Sequence, residues 1–179
     1  MIDPVIELSI GLGLALLFAA AAWHKMADQV RFGAALRAYR LLPSWLVSPV
    51  AWFVSVAEAV IAVSLLYPPT RQAATLVAAA LLMLYTGAIV ANLARGRRDI
   101  DCGCFASSAR VPLSGWLVVR NAILILVACV LFMPVRARSL LWIDVLTIVT
   151  ALVALTVLWA AGQRLAHTGP ALRRFGGTP

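Results

Sequence analysis

The chain has 179 residues, of which 63% are apolar and 12% are charged, and its 15 basic and 7 acidic residues give a net charge of +8. Soluble domains are about 45–50% apolar and about 25% charged, so this chain has too few polar residues to cover a water-exposed surface. The composition therefore excludes a soluble domain and a disordered chain, and it predicts a polytopic membrane protein.

Five stretches are long and apolar enough to cross a bilayer as helices, because about 20 residues that rise 1.5 Å each span its hydrocarbon core of about 30 Å. They are Val5–Trp23, Val47–Tyr67, Ala73–Ala94, Leu113–Met133 and Leu140–Ala160. Between the first two, Asp28–Arg40 has the periodicity of a short amphipathic interfacial helix. We therefore predict an all-α fold, a polytopic membrane helix bundle in one domain over residues 1–163, followed by a disordered basic tail over residues 164–179.

The basic residues are distributed unevenly between the two sides that five spans define. Eleven fall on one side: Lys25, Arg31, Arg37, Arg40, Arg95, Arg97, Arg98, Arg110, Arg164, Arg173 and Arg174. Three fall on the other side: Arg71, Arg136 and Arg138. The positive-inside rule makes the first side cytoplasmic. This predicts a multi-pass protein of the bacterial inner membrane, with its amino terminus outside and its carboxyl terminus in the cytoplasm.

Two of the three cysteines, Cys102 and Cys104, follow the third span and are separated by Gly103. A disulfide between them would close a strained ring, which glycine tolerates, and strained disulfides are the easily reduced, catalytic kind. A metal site and an incidental structural loop are the alternatives, and the first is weakened because structural zinc needs four ligands. Cys129 lies within the fourth span and is predicted to pack as a small apolar side chain.

Several polar residues lie in or beside the predicted spans. Glu58 is near the centre of the second span, where a charge must be paired, neutralised or functional, and both a structural and a functional role remain open. Arg120 and Asn121 lie a turn or two into the fourth span, and Arg120 either snorkels to the surface or reaches Glu58. His24 and Lys25 end the first span on the side of the cysteine loop, so these residues are candidates for one site.

These motifs together resemble one family of membrane proteins. The residues concerned are His24-Lys25, Tyr39–Pro43 (Tyr-Arg-Leu-Leu-Pro), Glu58, Asp101–Phe105 (Asp-Cys-Gly-Cys-Phe) and Arg120-Asn121. They resemble the methylamine-utilisation membrane protein family, MauE, within the DoxX-like group, which implies a four-helix core to which the fifth helix is added. The resemblance also implies a role in maturing methylamine dehydrogenase, whose small subunit is the exported client, together with a thioredoxin-like partner. Cys102 and Cys104 would then be the catalytic thiol pair, and the other positions supporting polar residues.

The preferred hypothesis is therefore a membrane thiol/disulfide accessory protein, which would act as an oxidoreductase if its thiols turn over. Disulfides of exported proteins form outside the cytoplasm, whereas the charge bias places the cysteine loop inside, and this conflict stays open. The competing hypotheses are a small transporter or channel subunit that uses Glu58 and Arg120, and a non-catalytic scaffold of an assembly complex. No cofactor is predicted, a quinone has no support in the sequence, and the bilayer rather than nucleic acid is the expected environment.

Overall fold

The computed structural model describes residues 2–97, 114–136, 138–139 and 141–175, without the side chains of Trp159 and of residues 162–175. It consists of six helices: α1 (Pro4–Ala27), α2 (Gln29–Tyr39), α3 (Ser44–Leu66), α4 (Pro68–Ala94), α5 (Gly115–Val130) and α6 (Trp142–Phe175). The all-α fold and the membrane bundle predicted from the sequence are confirmed. By length and composition, α1, α3 and α4 are able to cross a bilayer, and α5 and the Trp142–Leu158 part of α6 are shorter apolar helices.

The core of the bundle lies between α1, α3 and α4, with the most extensive contact between α1 and α3. Phe18 of α1, Leu65 of α3 and Ala78 of α4 are among its fully buried apolar side chains. The opposite faces carry exposed valines, leucines and phenylalanines, as is expected of helices that face hydrocarbon rather than water. α5 packs on α4, and α6 packs on α1.

Exposed tryptophan and tyrosine side chains mark both ends of the bundle, as they do at the two interfaces of membrane proteins. Trp23 and Trp45 lie at the end where α1 finishes and α3 begins, and they are 72% and 73% exposed. Tyr67 and Trp142 lie at the other end, and they are 61% and 78% exposed. These aromatic side chains indicate where the two membrane interfaces lie along the bundle.

The amphipathic segment predicted at Asp28–Arg40 forms α2. Asp28 caps the helix by accepting a hydrogen bond from the Arg31 backbone N–H at 2.9 Å, and Arg40 ends it with a left-handed φ of 49°. Phe32 and Tyr39 are buried on the predicted apolar face. α2 therefore covers the end of the bundle at which Lys25 lies.

The start of α1 is attached to the link between α5 and α6. Asp3 caps α1 by accepting from the Val5 backbone N–H at 2.9 Å, and it pairs with Arg138 at 3.0 Å. Arg138 also binds Asp144 of α6 at 2.7 Å, so one arginine joins the start of α1 to the start of α6. The Arg138 side chain, and then the Val5 N–H, hold the pKa of Asp3 below its usual value near 3.8.

α6 extends further than the sequence predicts. The helix continues to Phe175, so residues 164–175 are helical where a disordered tail is expected, and residues 176–179 lie outside the described part. Leu165, Ala166, Ala171 and Leu172 are good helix formers, and a helix that already exists is extended at low cost. These residues therefore continue α6 despite Gly169 and Pro170.

Candidate functional site: a buried charge cluster between four helices

Lys25 and Glu58 form a buried ion pair inside the bundle. The Lys25 ammonium donates to Glu58 Oε1, and the two side chains are 2% and 1% exposed. Lys25 is near the end of α1, and its side chain leans back toward the start of the helix, as helical side chains do. It thus reaches the carboxylate near the middle of α3.

Tyr85 of α4 completes this cluster. Its hydroxyl donates to Glu58 Oε1 at 2.6 Å and accepts from the Lys25 ammonium at 3.0 Å. The same ammonium lies 4.7 Å from the centre of the Tyr85 ring and 5.0 Å from that of Phe32, at distances where a cation is attracted to an aromatic face. Side chains from α1, α2, α3 and α4 therefore meet at one buried positive charge.

The cluster leaves one carboxylate oxygen unused. Glu58 Oε2 is buried and accepts no hydrogen bond within the described part of the chain. One turn earlier on α3, the Ser55 hydroxyl donates to the Ala51 carbonyl and accepts from the Gln29 amide, both at 2.9 Å. The polar groups thus form a short row from the cluster to the half-buried Gln29 at the start of α2.

Glu58 pairs with Lys25 and not with Arg120, which corrects one of the two roles that the sequence left open for Arg120. Arg120 at the start of α5 donates instead to Asn121 Oδ1 at 3.2 and 3.4 Å. Asn121 is 1% exposed, and His24 is half-buried beside Lys25. Of the supporting residues predicted from the sequence, the structure joins Lys25 to Glu58 and Arg120 to Asn121.

Tyr85 is the member of the cluster that the sequence analysis missed. The third predicted span has no charged residue that would indicate a polar site. The available signal was a tyrosine within an uncharged apolar stretch, because a hydroxyl in hydrocarbon needs a polar partner. Asn92, two turns later on α4, is also fully buried, and its side-chain oxygen accepts no hydrogen bond within the described residues.

Of the three cysteines, one lies among the residues that the structure describes and two do not. Cys102 and Cys104 lie outside the described residues, between α4 and α5 in sequence. Cys129 is exposed on α5, so it faces the lipid side of the bundle, whereas the sequence predicted packing among its neighbours. Among the residues that the structure describes, no group of three or more histidine, cysteine or acidic side chains is arranged to hold a metal ion.

A second ion pair, which is partly buried, lies at the opposite end of the bundle. Arg71 of α4 donates to Glu7 of α1 at 2.6 Å and to the Leu65 carbonyl at 3.1 Å. Gly11 lies beside this pair, and a Cβ there would lie 3.6 Å from the Arg71 Nε, at an ordinary van der Waals distance. The two ion pairs, Lys25–Glu58 and Glu7–Arg71, thus connect α1 to α3 and α4 at separate depths.

Comparison with known protein families gives a match that covers α1 to α5. The family described as methylamine utilisation protein MauE matches residues 3–134, which include both ion pairs. The chain belongs to the MauE family. The matched region ends before α6, so the attachment of α6 through Arg138 lies beyond it.

Three relatives of the MauE family show the extent of the similarity, and each is named methylamine utilization protein MauE. The chain is 40% identical to the Paracoccus denitrificans protein over 124 residues, 69% of this chain and 67% of that protein. It is 41% identical to the Methylorubrum extorquens protein over 126 residues, 70% of this chain and 68% of that protein. The Methylophilus methylotrophus protein is 40% identical over 121 residues, 68% of this chain and 64% of that protein. The matched segment thus spans about two thirds of each relative, and no solved structure matches the chain.

Proposed function

We propose that this MauE-family chain is a membrane thiol/disulfide accessory protein for the maturation of an exported dehydrogenase of methylamine metabolism. The observation that carries the proposal is the family membership, since the matched residues 3–134 include the Cys-Gly-Cys motif. Under this proposal the client is the small subunit of methylamine dehydrogenase, and the partner is a thioredoxin-like protein. The protein acts in the bacterial inner membrane.

The chemistry proposed for Cys102 and Cys104 is disulfide exchange. A thiolate attacks one sulfur of a disulfide, a mixed disulfide forms, and the second thiolate displaces the remaining thiolate. The pair that gives up two electrons becomes the disulfide, and the pair that receives them takes up two protons and becomes the dithiol. The same balance holds in either direction, so the partner decides whether the chain oxidises or reduces.

The role proposed for the Lys25–Glu58–Tyr85 cluster is to hold the helices that carry the cysteine segment. The chain enters this segment from α4, which carries Tyr85, and leaves it into α5, which packs on α4. A buried, enclosed ion pair is a poor transport path, because Glu58 is 1% exposed and bonded to two neighbours. This supports the accessory function over the transporter hypothesis.

The test compares cysteine variants in cells that produce the client enzyme. Cys102→Ser and Cys104→Ser, singly and together, are expected to abolish maturation and to change the redox state of the thioredoxin-like partner, measured by thiol alkylation. Cys129→Ser is the matched control, because this cysteine faces lipid on α5 and is expected to change neither readout. Full maturation in the double variant, with normal protein levels in the membrane, contradicts the redox proposal and favours a scaffold.

A membrane-impermeant maleimide applied to intact cells addresses the orientation. Labelling of Cys102 and Cys104 from outside would place the thiols on the side of an exported client. Protection from the reagent would place them on the cytoplasmic side that the arginine distribution predicts. In that case the disulfide must be exchanged with a cytoplasmic partner.

A further inference from the structure

A cavity of about 350 Å³ lies at the end of the bundle where α1 begins, away from the Lys25–Glu58–Tyr85 cluster. It lies between Glu7 of α1, Arg71 and Gln72 of α4, and the segment 131–135 that follows α5. Its volume corresponds to that of about twelve water molecules at about 30 Å³ each. The cavity can therefore hold a polar group much larger than water.

The cavity offers one positive and one negative side chain with hydrogen-bonding capacity to spare. Within the described residues, Arg71 donates through Nε and Nη1, which leaves the hydrogens of Nη2 for a ligand. Glu7 uses Oε1 for Arg71, which leaves Oε2 as an acceptor. Gln72 adds an exposed side-chain amide. Arg71 itself is 8% exposed, so its charge is held in a fixed place rather than on a mobile surface chain.

The depth of the cavity is that of the lipid head groups. Tyr67 directly precedes α4, and Trp142 begins α6 at the same end of the bundle. Both are strongly exposed, and such side chains lie at the membrane–water interface. The rim of the cavity includes Phe132 and Met133, which are 40% and 52% exposed. An amphiphile bound here would have apolar side chains next to its glycerol and acyl parts.

We propose that this cavity binds the head group of a zwitterionic phospholipid of the phosphoethanolamine type. The phosphate accepts hydrogen bonds from Arg71 and Gln72, and the primary ammonium donates to Glu7. One acid and one base give the cavity no net charge, which matches a zwitterion. A purely anionic head group has no cation to place against Glu7 Oε2, and a choline head group has no N–H to donate.

The test uses the full chain purified in detergent and native mass spectrometry of retained lipid. Phosphatidylethanolamine, phosphatidylcholine and phosphatidylglycerol with identical acyl chains are supplied separately. The wild type is expected to retain phosphatidylethanolamine about tenfold better than phosphatidylcholine, since one charge-assisted hydrogen bond distinguishes them. Equal retention of the three lipids overturns the proposal.

Variants assign the preference to the cavity. Glu7→Gln is expected to reduce retention of phosphatidylethanolamine to that of phosphatidylcholine. Arg136→Gln is the matched control, because Arg136 is exposed at the same end of the chain and does not line the cavity. Gln72→Leu, at an exposed position outside the ion pair, covers the case in which Glu7→Gln fails to fold, and it is expected to weaken phosphatidylethanolamine retention about fivefold.

Three further results decide the outcome. An unchanged lipid preference in a folded Glu7→Gln protein overturns the proposal, and so does a loss of preference in Arg136→Gln. Soluble glycerophosphoethanolamine distinguishes a lipid from a free phosphate ester. Failure of this compound to compete at the concentration of the lipid supports the proposal, and equal competition shows that the ligand is soluble and overturns the lipid assignment.

Discussion

Removing one charge of the Lys25–Glu58 pair is expected to destabilise the bundle strongly, whereas removing both charges is expected to cost much less. The two side chains are 2% and 1% exposed, so Glu58→Gln leaves the ammonium buried without a counter-charge. Breaking a buried pair in this way costs about 3–5 kcal/mol. Lys25→Met leaves the carboxylate in the same position and is expected to cost a similar amount.

The double variant Lys25→Met with Glu58→Gln contains no buried charge, so it is expected to be more stable than either single variant and closer to the wild type. The coupling energy in the double-mutant cycle is then about 3 kcal/mol or more. Unfolding is followed by circular dichroism during titration with SDS in mixed micelles. Val60→Ala on the lipid-facing side of α3, where the side chain is 58% exposed, is the control and is expected to change stability by about 0.5 kcal/mol or less.

A double variant whose loss of stability equals the sum of the two single losses would refute this reasoning, because the two charges would then not depend on each other.

Tyr85→Phe measures what the hydroxyl of the third member of the cluster contributes to stability. It removes a hydroxyl that donates to the carboxylate at 2.6 Å, and hydrogen bonds to charged groups contribute about 1.5–3 kcal/mol. A cost near zero would show that the hydroxyl contributes nothing beyond its ring.

Two further predictions concern the other end of the bundle. Asp3 has a lowered pKa in the folded state, first because of its bond to Arg138, so its stabilisation is complete above the unfolded value near 3.8 and is lost as the pH falls through the lower folded value. Asp3→Asn is expected to reduce this acid-dependent step in the unfolding profile, measured by tryptophan fluorescence, while the pairing of Arg138 with Asp144 remains; a step of unchanged size in the variant contradicts the assignment. Gly11→Ala is expected to be tolerated and Gly11→Leu to lower the thermal midpoint, because a Cβ at Gly11 meets Arg71 at 3.6 Å and larger atoms must displace it. Gly87→Leu, where nothing lies within 4 Å, is the control, and equal losses in the two leucine variants would refute the packing argument.

The helices could be predicted from the sequence because hydrocarbon imposes a simple rule: a long apolar stretch must satisfy its own backbone as a helix. α2 was also predictable, since Phe32 and Tyr39 recur at helical spacing and Asp28 is a good cap. The end of α6 was not predictable, because Gly169 and Pro170 favour a disordered tail in the sequence, and the sequence does not show that the preceding helix continues through them.

The partner of Glu58 could not be predicted, since the sequence offers Lys25 and Arg120 at the same end of the bundle. The choice depends on helix rotation, which places Lys25 and Tyr85 toward Glu58 and leaves Arg120 beside Asn121. A pattern along one helix records which residues share a face but not which neighbour that face meets. Cys129 illustrates the same limit, because an apolar helix gives no sign of which side faces lipid.

The attachment of the amino terminus has a practical consequence for handling the protein. Ile2 pairs with the segment after α5 through two backbone hydrogen bonds of 2.9 Å, to Pro134 and from Arg136, and Asp3 follows immediately with its bond to Arg138. An affinity tag fused directly before Ile2 would crowd this junction, and a deletion of the first three residues would remove it. Purification is therefore better served by a tag at the carboxyl end, where the described helix extends beyond the bundle core as far as Phe175.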